Sequence, residues 1–285
     1  MKLRLFTSLS IVTLLWSCGG EDQANHVTDK EKLQKEELKE EPSGNEINEM
    51  ADFKFHTMIA NLPSPLQTFQ IIDQVDLEMS SIILTPLDRA GNLSTGSARA
   101  YGYGVYITDM GFMAYGRQNQ QTLDYFQVCR DLASKLGAGD VFDRTITQDF
   151  EENTSSEEQF VKMMDRAFTA MDQYMVDNDR FVNATEIFVG SWVESQIIAT
   201  QILQGKPLSE SNRAIYEGIY AQKQHASNLM NVLGEIDQEV EQEVFVSVED
   251  LMMFYAGFSS VENINDEDLA ELEQKLNTLK DQLLG

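Results

Sequence analysis

The segment ARAYGYGVYITDMGFMAYG, Ala98–Gly116, decides how this chain is read. It is apolar nearly all the way round and holds a single carboxylate, Asp109, between Arg99 and Arg117. A helix without a polar face is one that its neighbours cover on every side. Ser97, Ala100, Gly104, Thr108 and Gly111 recur every three or four residues. Such a strip of small side chains admits a second helix at close range, while Tyr101, Tyr103, Tyr106, Phe112 and Tyr115 fill the space beside it. Tyr103, Val105 and Ile107 also suit β structure, and each internal glycine costs a helix roughly 0.5–1 kcal/mol. With no hairpin signals on either side, the expected state is the central helix of an all-α domain.

A second largely apolar stretch, Ala184–Gln204, is its expected packing partner. Ile187, Phe188, Ile198 and Ile202 form one side, Ser191, Ser195 and Ala199 a small-residue strip, and Gly205-Lys206-Pro207 closes it. Around these two, the 3.6-residue period places further helices. One follows Gly116 and runs to Leu136, stopped by Gly137 and Gly139. Another follows the capping-box pattern Ser155-Ser156-Glu157-Glu158, with Phe160, Met163, Met164, Ala167, Phe168, Met171, Tyr174 and Met175 on one face. Further helices are expected at Ile215–Leu233, near Val248–Phe258, and after Asn265, where Leu269, Leu272, Leu276, Leu279 and Leu283 form a narrow seam. Asp140–Asn153 reads as a short helix plus a loop. A helix after Pro63-Ser64-Pro65 carries Phe69, Ile72, Val75, Met79 and Ile83 and ends at Pro86, before a polar loop, Asp88–Gly96. Residues 46–60 fit a helix through Ile47, Met50, Met58 and Ile59, or a short strand through Phe53 and Phe55, and both stay open. The pattern predicts a multi-helix bundle of antiparallel helices with two central apolar helices, forming one domain over 46–285.

The N-terminus speaks for destination. Lys2 and Arg4 precede an apolar run, Leu5–Trp16, too short to span a bilayer and laid out as a secretory signal peptide over residues 1–17. Leu15-Trp16-Ser17-Cys18 resembles the lipobox of bacterial lipoproteins. That resemblance implies cleavage before Cys18, a diacylglyceryl group on its thiol and fatty acylation of the new amine with palmitate-like chains. It places the protein on the bacterial cell envelope, at the periplasmic or outer face of the outer membrane. Two or three acyl chains suffice for stable anchoring where a single chain binds only marginally. Gly19-Gly20-Glu21-Asp22 is similar to the acidic export signals of some surface lipoproteins. From Cys18 to Asn45 the chain is charged and without aromatic residues, the composition of a disordered acidic tether. With Cys18 lipidated, Cys129 is alone. It shares an apolar helical face with Leu123, Phe126, Leu132 and Leu136, the setting of a buried core thiol.

A formal charge of −26 repels nucleic acid and anionic headgroups. Of the 3 histidines, none belongs to an HExxH or paired-His motif, and no CxxC exists, so neither a metal centre nor a cofactor is expected. No Gly-x-Ser-x-Gly elbow occurs, Gly102-x-Gly104 lacks the rest of a dinucleotide fingerprint, and Asp177-Asn178-Asp179 and Asn263–Asp268 read as helix caps, not EF-hand loops. Asp109 and Glu194 stand out as acids within the two most apolar helices. Burying a carboxylate without a partner is costly. They would line a polar pocket with Tyr101, Tyr106 or Tyr115, or else form structural ion pairs, with Arg99, Arg117 or Arg130 meeting Asp109 and Glu194 partly solvated. The expected function is that of a non-enzymatic, membrane-anchored lipoprotein with a helical interaction or scaffold domain and a protein partner in the envelope. The alternatives are a small-ligand or cation receptor using the Asp109/Glu194 pocket, and a hydrolase whose catalytic set is scattered along the chain.

Overall fold

Eight α-helices and two 3-10 turns, with no strand among them, account for the described residues, 81–152, 157–236 and 241–285 of the computed structural model. The helices are α1 Gly96–Tyr115, α2 Asn119–Lys135, α3 Gly139–Glu152, α4 Glu157–Asp177, α5 Phe181–Leu203, α6 Arg213–Glu235, α7 Gln242–Gly257 and α8 Asp266–Leu284. All described residues belong to the unit Asp52–Gly285. Cys18, the tether, the open segment 46–60, most of the helix expected after Pro65, and the cap residues Ser155 and Ser156 lie outside them.

The two apolar stretches are the core. In α1 every residue from Ala100 to Met113 is buried, and in α5 every residue from Ala184 to Thr200. Among the described residues no helix is long and apolar enough to cross a membrane. The small-residue strips bring backbone against backbone. A Cβ on Gly104 would overlap the carbonyl oxygen of Ile187 and lie 2.7 Å from Ser191 N, and one on Gly190 would overlap the carbonyl oxygen of Tyr101. Ser191 Oγ donates to the Gly104 carbonyl at 2.9 Å, a hydrogen bond directly across the crossing.

Pairings along the helices fix their directions. Ser97 meets Glu186, Gly104 meets Ser191, and Asp109 meets Glu194, so α1 and α5 run parallel. Tyr106 packs on Tyr125 while Tyr103 lies beside Cys129, so α1 and α2 run antiparallel. Glu273 reaches Gln204 and Lys280 reaches Glu194, which sets α8 antiparallel to α5. The same helix runs antiparallel to α7 through Lys275–Asp250 at 2.7 Å and Gln282–Ser247 at 2.8 Å. An up-and-down chain passing through three helices between α1 and α5 returns in the direction in which it began.

The helix expected to carry Ile83 and end at Pro86 does not reach it: residues 82–86 are not helical, and Ile83 is 74% exposed because this segment is drawn across the ends of Asp109 and Gln201 by backbone hydrogen bonds. The other helices end close to where anticipated, with two differences. Gly137 takes the left-handed conformation, φ 77°, after α2. Gly139 does not stop the chain but opens α3, which continues to Glu152 in place of a short helix and loop. Its anchor is Phe142, buried edge-on against Tyr103 with ring centroids 6.2 Å apart. The second difference is α7, which begins before Val248 because Val244 joins Val248, Leu251 and Tyr255 on its inner face. On α2, Cys129 is fully buried as expected, but Leu123 is 52% exposed, and Tyr125 turns inward beside the thiol's face.

Asn265 begins α8 with a complete capping box. Its side chain accepts from Glu267 N at 2.8 Å and Asp268 N at 3.2 Å, and Asp268 returns the bond to Asn265 N at 3.0 Å. Asn265→Ala removes the acceptor for two otherwise unpaired donors. We expect a loss of about 1 kcal/mol in urea unfolding, with the slope unchanged.

Candidate functional site

Because α1 and α5 run parallel, Asp109 and Glu194 arrive at the same level in the core, both with no exposed surface. Asp109 Oδ2 accepts the backbone N–H of Thr85 at 3.1 Å. Lys280 Nζ, from α8, stands 3.0 Å from Glu194 Oε2, with side-chain exposures of 9% for the lysine and 0% for the glutamate. The same ammonium lies 3.4 Å from Thr85 Oγ1. The chain leading to the 3-10 turn Leu87–Asn92 closes the cluster: Tyr125 OH donates to the Thr85 carbonyl at 2.8 Å and Tyr106 OH to the Pro86 carbonyl at 2.8 Å. Ile83 N donates to Gln201 Oε1 at 2.8 Å, which fastens this segment to α5 as well.

The electrostatics are unequal. Two carboxyls face one ammonium in a medium that stabilises charge poorly. Burial, then the Glu194 charge and the hydrogen bond that Asp109 can give Glu194 only when it carries a proton, hold the Asp109 carboxyl well above the usual carboxylate range; Lys280 and the Thr85 N–H pull the other way and lose. Asp109 Oδ1 and both Glu194 oxygens lack a hydrogen-bond donor. The Lys280–Glu194 contact is therefore a charge contact at hydrogen-bond distance whose geometry is off the hydrogen-bond direction. Burial, followed by the Asp109 charge, also pushes the Tyr106 and Tyr125 phenols up, and it pushes up the Cys129 thiol. These three groups stay protonated beside the acids.

Of the residues singled out from sequence, Asp109, Glu194 and Tyr106 come together. Tyr101 does not join them. It sits two helical turns earlier, about 12 Å along the axis. There it responds to burial and to Glu186 and Glu241, and it lines a separate cavity of about 160 Å³ with Thr95, Ser97, Gln282 and Gly285. Tyr115 packs half-buried against the core beyond the cluster. Two of the expected arginine partners are occupied elsewhere: Arg99 donates to the Leu93 carbonyl at 3.1 Å and the Ser94 carbonyl at 2.8 Å, and Arg130 forks onto Asp143 at 2.7 and 2.9 Å. Glu194, expected to be partly solvated, is fully enclosed, because α8 covers that side of α5.

Lys280, Thr85 and Tyr125 were not anticipated. Lys280 carried a signal: it follows Leu276 by four residues and precedes Leu283 by three, which puts a cation on the leucine face of α8. Thr85 carried none, because it acts through its backbone. No protein-family model, curated protein or solved structure matches this chain. Among the described residues, no group of three or more His, Cys, Asp or Glu side chains is placed to hold a metal ion. What the arrangement can do chemically is favour the protonated form of Asp109 and join α1, α2, α5, α8 and the segment 81–86 around it.

Proposed function

We propose that this protein is a lipid-anchored component of the bacterial cell envelope whose acidic helical body serves as a non-enzymatic interaction or scaffold module. The observation that carries this reading is Leu15-Trp16-Ser17-Cys18, placed directly after a charged start and a short apolar run. Its supports are the aromatic-free, charged residues 19–45, suited to holding a body away from lipid, and the −26 formal charge, which favours a basic protein surface as partner. A further support is that Glu241 and Glu243 are exposed, where a basic partner could meet them.

The test is acylation of the full chain expressed in a bacterial host. Wild-type protein should incorporate labelled palmitate and sediment with the outer membrane; Cys18→Ala should lose the label and leave that fraction. Label persisting in Cys18→Ala, or wild-type protein recovered outside the membranes with its leader uncut, would remove the reading. Capture from detergent-solubilised envelope, followed by washing at raised salt, then tests the partner. An interaction led by charge complementarity weakens steeply as the Debye length falls from about 10 Å at 0.1 M salt to about 3 Å at 1 M.

A further inference from the structure

We propose that Asp109 carries a proton at neutral pH and gives it in a hydrogen bond to Glu194, and that this hydrogen bond and Lys280 together latch the segment 81–86 and helix α8 onto the central helix pair, a latch that alkaline solution opens. Three observations converge on it. The first is charge. With both acids ionised, the enclosed cluster of Asp109, Glu194 and Lys280 keeps one uncompensated negative charge; with one proton bound it is neutral. The second is hydrogen bonding. Asp109 Oδ2 is taken by the Thr85 N–H, leaving Oδ1 without a donor, and Glu194 Oε1 lacks one too. A proton on Asp109 Oδ1, donated toward Glu194 Oε1, satisfies these two orphans at once, and the third, Glu194 Oε2, keeps its charge contact with Lys280 Nζ at 3.0 Å. The third is connectivity. Thr85 contributes its N–H to Asp109, its hydroxyl to Lys280 and its carbonyl to Tyr125, so one residue senses the charge of the whole cluster.

The groups facing the pair are known from each element packed on it. From α1 comes the Tyr106 phenol, from α2 the Tyr125 phenol and Cys129 thiol, from α5 Glu194 itself, from α8 Lys280, and from the 81–86 segment the Thr85 amide and hydroxyl. The phenols and the thiol stay neutral, so none offsets a second negative charge. Arg89 is engaged with Asp281 at 2.7 Å, on the outer side of the latch. The thin cover lies over the cluster at 81–86, where Ile83 is 74% exposed. An ionised Asp109 reaches water most readily by displacing this segment.

The direction of the pH effect follows from linkage. In the unfolded chain Asp109 ionises in the ordinary carboxylate range, whereas in the folded protein it holds its proton to higher pH. Below the ordinary range the contribution to stability is complete. Between the two values each unit of rising pH weakens the folding equilibrium tenfold per proton, until the folded group itself ionises.

The full chain tests this by calorimetric unfolding at pH 7 in two buffers of different ionisation enthalpy. Wild type should release one more proton on unfolding than Asp109→Asn, which keeps the neutral shape and donates a hydrogen bond without titrating. The variant should also lose a tenfold-per-unit component of the pH dependence of the folding constant. Hydrogen exchange, corrected for intrinsic chemistry, should show the amides of Ile83, Leu84 and Thr85 and the C-terminal turn of α8 opening as pH rises above 7 in wild type but not in Asp109→Asn. Equal proton release in the two proteins overturns the proposal. So does a wild type stabilised by sodium or calcium chloride beyond an ionic-strength control, which would mean a cation occupies the proton's place. Should Asp109→Asn fail to fold, a carbon-13 carboxyl titration of wild type decides instead: an aspartic acid still protonated at pH 7 supports the latch, and none refutes it.

Discussion

Gly190→Ala should destabilise the protein by about 3 kcal/mol, the upper end of what a single added methyl costs in a packed core. The reason is what the new Cβ meets. It overlaps the carbonyl oxygen of Tyr101 and comes within 2.9 Å of Tyr101 C and 3.1 Å of Tyr101 Cα, all backbone atoms of α1. A clash with a side-chain end is relieved by rotation; a clash with backbone is relieved only by moving one helix. Gly104→Ala meets Ser191 N at 2.7 Å from the other side and should cost a similar amount. The two together should be less than additive, because helices pushed apart once relieve both overlaps. Gly218→Ala is the internal control. Nothing lies within 4 Å of its added Cβ, on a helix interior, so it should stabilise by roughly 0.5–1 kcal/mol. Urea unfolding of the four variants beside wild type checks the set. Gly190→Ala matching wild type would show that the central helices are further apart than described.

Lys280→Met should cost about 3–5 kcal/mol, the penalty for leaving a buried charge without its partner. The apolar stem of methionine fills much of the same space, so the loss reports the ammonium and not the packing. The variant leaves Asp109 and Glu194 facing each other with no counter-charge, and its remedy is to bind a second proton. Its deficit relative to wild type should therefore shrink as pH falls. Lys280→Met with Glu194→Gln removes cation and anion together and should recover part of the stability lost in the single variant. A deficit under about 1 kcal/mol at pH 7, independent of pH, would mean that the ammonium escapes to water, as in surface ion pairs.

The same two helices show how far sequence reading reaches. Ala98–Gly116 and Ala184–Gln204 declared their burial because each lacks a polar face, and their small-residue strips announced a close crossing; Gly104 and Ser191 are the residues that meet there. Gly190 was not in the anticipated strip, since its importance depends on the rotation of α5 about its own axis. Leu123 was assigned inward by periodicity and points outward, while Tyr125 takes the inner position and finds the Thr85 carbonyl. Periodicity gives a face about 100° wide, which is too coarse to choose between residues at its edges.

The chain's own order of residues determined which segments coil, which two are enclosed, that Asp109 and Glu194 needed a counter-charge, and that Cys129 sits in the core. These are local matters of period, capping and side-chain polarity. Tertiary structure alone decided that the counter-charge is Lys280 and not an arginine, that Tyr101 stands apart from the acids, and that Thr85, 195 residues from Lys280, seals the cluster. A helix's stripe says that something must cover it, whereas the identity of what covers it is set by packing among distant segments.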